Sequence, residues 1–106
     1  MSANREKTMS DEHKVLPLPL SGMRVIDLTQ VYLGPSATQM LGDFGADIIK
    51  IEPIERGDLS RTFVDQGNDL ENNPVYLSIN RNKRSLAIDL KTDEAREIVY
   101  ELVKTA

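Results

Sequence analysis

An α/β fold of order β-α-β-loop-β-α, built on parallel strands, is what this sequence predicts. Two short β-branched runs, around Val25-Ile26 and Ile48-Ile49, flank a helix-length segment with Pro35 near its start and Gly45 at its end. A third run is followed by an amphipathic stripe that continues to the last residue. At 106 residues the chain suits one small domain rather than two.

Pro17 and Pro19 favour an extended approach, and Ser21-Gly22 turns the chain into Met23-Arg24-Val25-Ile26-Asp27-Leu28, a buried-strand pattern. Gly34-Pro35 then marks a helix start, since proline at the first helical position lacks only an N–H that would be unpaired there. Ala37, Met40, Leu41 and Phe44 recur at i, i+3, i+4 and i+7, which predicts one apolar helix face. Gly45 suits the left-handed position after the helix. Asp47 to Glu52 forms the second strand, stopped by Pro53. Tight links make this a βαβ unit with parallel strands and a right-handed crossover.

Residues 53–82 show little periodicity, with turn signals at Gly57-Asp58, Gly67-Asn68-Asp69 and Asn72-Asn73-Pro74. A loop of this length inside a compact domain is expected to be functional or covered. Leu86, Ile88 and Leu90 alternate as a third strand. Thr92 caps the next helix, Asp93 and Glu94 complement its dipole, and Ala95, Ile98, Val99, Leu102, Val103 and Ala106 form its stripe. The pattern stops in mid-stripe, so the domain is read as incomplete.

Residues 1–19 are expected to be a disordered leader. Residues 1–14 mix Arg5, Lys7, Asp11, Glu12, His13 and Lys14 without the apolar centre of a secretory signal. No apolar run approaches the roughly 18 residues of a membrane span. Absence of cysteine removes disulfides, a thiolate nucleophile and Cys-based metal sites, and a cytoplasmic address fits. A net charge of −4 speaks against general nucleic-acid binding. The basic cluster Arg81, Lys83, Arg84 and Lys91 against a single acid, Asp89, points instead to a specific anion.

Familiar catalytic motifs are missing: no Gly-x-Ser-x-Gly, Walker loop, His-Glu-x-x-His or Gly-x-Gly-x-x-Gly. The lone histidine, His13, falls in the leader. Paired carboxylates such as Glu52 with Glu55 and Asp93 with Glu94 are explained by strand-end loops and capping. Two places suit a ligand. Thr29 to Pro35 follows the first strand, where open α/β sheets bind ligands and where a helix N-terminus favours an anion. As a stretch of chain it is equally a plain strand–helix connector. Asn80 to Ser85, leading to Lys91, is either a solvated basic loop or a phosphate clasp with Ile88 as an apolar wall.

Taken in order, Gly22-Met23-Arg24-Val25-Ile26-Asp27-Leu28-Thr29, Gly34-Pro35, Gly42 to Glu52, Gly57-Asp58 with Arg61, and Asn80 to Lys91 closely resemble the class III CoA-transferases, also called the CaiB/BaiF family. The resemblance runs from about Leu20 to Ala106. It implies that residues 20–106 are the N-terminal portion of a Rossmann-like domain in a larger, interlocked homodimer. It also implies CoA transfer between an acyl-CoA and a carboxylic acid by an aspartate nucleophile beyond Ala106. No residue here is then catalytic, no metal or permanently bound cofactor is expected, and the segment by itself is expected to be inactive.

The same resemblance places Val31, Tyr32 and Leu33 in the loop approaching the thioester end and pantetheine of coenzyme A. It places Ile88 and Lys91 at its adenine nucleotide. Two departures stand out: some formyl-CoA-type members have glutamine at the position of Tyr32 and arginine at that of Pro53. A 2-methylacyl-CoA racemase of the same superfamily, or a stand-alone CoA- or nucleotide-binding module, are the alternatives. The Asn80-Arg81-Asn82-Lys83 loop favours the transferase.

Overall fold

The computed structural model describes residues 16–64, 67 and 69–106. Most of the expected leader, residues 1–15, lies outside them. Three strands, β1 (Arg24–Asp27), β2 (Asp47–Glu52) and β3 (Lys83–Ala87), form one sheet in the order β1-β2-β3. Both pairings are parallel, with Val25 opposite Ile48 and Ile51 opposite Leu86. The Ile88 N–H continues the ladder to the Glu52 carbonyl (3.0 Å). The expected α/β order and parallel pairing are both present.

Side chains alternate along β2, so its two faces meet different surroundings. Ile49 and Ile51 pack with Val99 of α3 (Asp93–Val103), together with Ile26, Leu86, Ile88 and Leu102. The Thr92 hydroxyl accepts from the Ala95 N–H (3.2 Å) and caps α3, as its sequence predicts. The opposite face presents Ile48, Lys50 and Glu52, all buried. Ile48 faces α1 (Leu33–Asp43), whose Gly42 approaches so closely that a Cβ there would stand 3.2 Å from Ile48 Cγ1.

Here α1 departs from its expected orientation. Its buried residues are Pro35, Gln39 and Gly42, whereas Ala37, Met40 and Phe44 are exposed, Met40 by 62%. Small and polar residues win the sheet side because close approach needs the missing Cβ of Gly42 and because the polar groups find partners. The Thr38 hydroxyl donates to Asp27 Oδ2 (2.7 Å), and Gln39 Oε1 accepts from the Arg81 N–H (2.9 Å). Gly45 does end the helix as expected, at φ 104°.

The stretch read as an irregular loop holds a 3-10 turn (Leu59–Thr62) and a helix, α2 (Pro74–Ile79). Asn73 Oδ1 accepts from the Val75 N–H (3.1 Å), with Pro74 as the first helical residue. The cap and the proline are both visible in the sequence. Six residues are too few for a periodicity to reveal the helix. Its Tyr76 and Ile79 are buried, and the Tyr76 hydroxyl reaches the charged face of β2 by donating to Glu52 Oε2 (3.4 Å).

Candidate functional site

The covered face of β2 is an ion-pair network. Lys50 is 0% exposed and lies 2.8 Å from Asp58 Oδ2, a charge contact outside hydrogen-bond alignment. Its ammonium donates to the Thr29 carbonyl (2.7 Å). Asp58 Oδ1 accepts from the Val31 N–H (3.0 Å) and from the N–H and hydroxyl of Ser60. Glu52 takes a two-pronged contact from Arg61 (3.0 and 2.9 Å), the Ser85 hydroxyl, and the Asp58 N–H (2.8 Å). The Arg61 guanidinium lies 3.5 Å over the Tyr76 ring. On the neighbouring strands, Lys83 reaches Asp27 Oδ2 (3.1 Å), both buried at the side chain.

Burial alone would raise the pKa of Asp27, Glu52 and Asp58. Favourable partners outweigh it: hydrogen bonds from Thr29 and Thr38 on Asp27, from Arg61 and Ser85 on Glu52, and on Asp58 the Lys50 charge with hydrogen bonds from Ser60 and Val31. All three therefore sit below the ordinary carboxylate range. Burial and the Glu52 charge push the Tyr76 phenol up to about 12. Carboxylates with depressed folded pKa values stabilise the fold above their unfolded pKa and lose that contribution as pH falls through the folded value. Acid titration followed by circular dichroism should therefore show stability flat above pH ~5 and falling steeply below pH ~4. A loss centred near neutrality would contradict these assignments.

At the carboxyl edge of the sheet the ends of all three strands enclose an open cleft of about 340 Å³. Leu28 and Gln30 enter from β1, Ile51 to Glu55 from β2, and Ile88 to Lys91 from β3. The volume falls in the range of small-ligand sites, about 300–1,000 Å³. Ile88 and Lys91 both line it. Val31, Tyr32 and Leu33 do not line the cleft; they follow Gln30 along the chain, with Tyr32 57% and Leu33 87% exposed. Gln30 lies in the Thr29 to Pro35 stretch that the sequence offered for a ligand, whereas Ile54 and Glu55 were not singled out, although their places just past a strand end were a usable signal.

The basic cluster divides. Arg81 makes a two-pronged pair with Asp43 (3.0 and 2.7 Å), Arg84 pairs with Asp47 (2.7 Å), and Lys83 is buried on Asp27. These three sit at the opposite, amino end of β3, each paired with a carboxylate. Strand polarity separates them from Lys91. Among the described residues the cations without a carboxylate partner are Arg56 and Lys91, each just past the carboxyl end of a strand. Glu52, the buried carboxylate of the cleft, is held ionised by Arg61 and is a weak base for proton transfer near neutrality.

A parallel sheet with a cleft along its carboxyl edge defines an open-sheet α/β protein. A model of CoA-transferase family III matches residues 20–106, and the chain belongs to that family. It is similar to succinyl-CoA:mesaconate CoA-transferase of Haloarcula hispanica, 47% identical over 90 residues that cover 82% of this chain and 22% of that protein. Succinyl-CoA:glutarate CoA-transferase of Homo sapiens is 44% identical over 84 residues, 79% of this chain and 19% of that protein. Among solved structures, a CaiB/BaiF family protein from Brucella suis superposes with a TM-score of 0.76 at 38% identity, over 86% of this chain and 25% of that one. The chain thus spans about a fifth of the length of the curated relatives it matches.

Proposed function

We propose that residues 20–106 are the N-terminal part of a CoA-transferase that moves coenzyme A between an acyl-CoA and a carboxylic acid, and that the cleft receives the CoA nucleotide. The observation that carries this is Lys91: an ammonium with no carboxylate partner among the described residues, lining with Ile88 the cleft of a chain that matches CoA-transferase family III. Ile88 offers an apolar wall to the adenine and Lys91 a flexible point charge to a phosphate. Val31, Tyr32 and Leu33 lie toward the thioester arm. The reacting carboxylate is an aspartate of the longer protein. It attacks the thioester carbonyl and expels CoA thiolate to leave a mixed anhydride. The thiolate then attacks the aspartyl carbonyl, releasing the first acid, and the acceptor carboxylate repeats the sequence in reverse. No metal or resident cofactor takes part. The protein works as an interlocked homodimer in the cytoplasm.

A phosphate contact made equally in ground and transition states contributes to binding alone. In the full-length protein Lys91→Ala is therefore expected to cost about 1–3 kcal/mol of binding. KM for the acyl-CoA rises by about tenfold or more while kcat stays nearly constant. Steady-state kinetics with varied acyl-CoA checks this, and an unchanged KM removes Lys91 from the site.

A further inference from the structure

The buried Lys50–Asp58 pair grips the backbone on both sides of Gln30. Lys50 Nζ donates to the Thr29 carbonyl (2.7 Å), and the Val31 N–H donates to Asp58 Oδ1 (3.0 Å). Between them Val31, a β-branched residue, stands at φ 74°, in the left-handed region that such residues avoid. The Gln30 side chain lines the cleft and makes no hydrogen bond among the described residues. Neither Lys50 nor Asp58 reaches the cleft, since both are 0% exposed.

Each of these features works against stability. A buried ion pair gives little net stabilisation over an apolar pair of similar shape, and a strained backbone persists only where its surroundings over-determine it. What they deliver together is one backbone geometry at one cleft residue. We propose that Lys50 and Asp58 are positioning residues that hold Gln30 in a single arrangement, so that its free carboxamide hydrogen-bonds a polar group of the bound coenzyme A. A carboxamide both donates and accepts, so a fixed orientation selects which ligand group it meets. This inference rests on the reading of the cleft as the CoA site.

The test is calorimetric titration of the full-length protein with coenzyme A, in a cycle of Asp58→Ala, Gln30→Ala and the double variant. Asp58→Ala is expected to weaken binding by about tenfold. The same change made in the Gln30→Ala background should have little further effect, because positioning matters only while the carboxamide is there. An equal loss in both backgrounds, or none in either, overturns the positioning role while leaving the proposed function intact. A parent protein that binds no coenzyme A overturns both. Where Asp58→Ala does not fold, Val31→Gly and Val31→Ala replace it: both lose the isopropyl group, and glycine alone frees the backbone. Weaker binding by the glycine variant supports the positioning role, and equal binding overturns it.

Discussion

Lys50→Met in the full-length protein is expected to remove about 3–5 kcal/mol of folding stability, read as a fall in the urea midpoint. The substitution keeps the length of the side chain and discards its charge. Asp58 is then left buried with no cation at Oδ2, and the Thr29 carbonyl loses its donor. Because the cost comes from an uncompensated carboxylate, adding Asp58→Asn should restore part of the loss. Acid should narrow the gap as well, since without Lys50 the Asp58 carboxyl accepts a proton more readily. A midpoint change worth less than about 1 kcal/mol would mean that the ammonium is solvated rather than buried.

Gly34→Ala is the second large effect. Alanine normally gains about 1 kcal/mol over glycine inside a helix. Here its Cβ would stand 2.4 Å from Thr29 Cβ and 2.5 Å from Thr29 Cγ2. Thr29 cannot readily yield, because its N–H and hydroxyl donate to Asp27 Oδ1 and its carbonyl accepts from Lys50. Overpacking against a fixed neighbour costs about 1–3 kcal/mol, enough to outweigh the propensity gain. Thermal unfolding should show a lower Tm, and the displaced Thr29 should carry Gln30 with it and raise KM for the acyl-CoA. Thr29→Gly, which removes the atom that is struck, should recover part of the Tm. A Tm above that of the parent would mean that α1 shifts freely.

The first two strands, the bounding residues of α1 and α3, and the parallel order follow from local chemistry, whereas β3 runs from Lys83 to Ala87, starting before and stopping short of the Leu86, Ile88 and Leu90 alternation. Alternation and β-branching mark β2, Gly45 ends α1, and Thr92 starts α3 wherever the rest of the chain goes. Ile88 and Lys91 line the cleft because residues that follow a parallel strand stand at the carboxyl edge of its sheet. Which partner each charge takes is a different matter. Arg81, Lys83, Arg84 and Lys91 look alike as a run, yet three of them meet Asp43, Asp27 and Asp47, 37 to 56 residues earlier in the chain, and Lys91 meets no carboxylate among the described residues.

Taken alone, the sequence determined that this is an α/β chain with parallel strands, and it determined the sites of the turns that join them. Only the tertiary structure decided that α1 turns Gln39 and Gly42 inward rather than Met40 and Phe44. It also decided that Lys50 and Asp58 lie buried as a pair, and that Gln30 rather than Val31, Tyr32 or Leu33 lines the cleft. The physical reason is range. Dihedral preferences, caps and side-chain periodicity act over a few residues. Burying a charge is acceptable only when a partner from elsewhere in the chain arrives within about 3 Å. That partner is named by the fold, not by its neighbours in sequence.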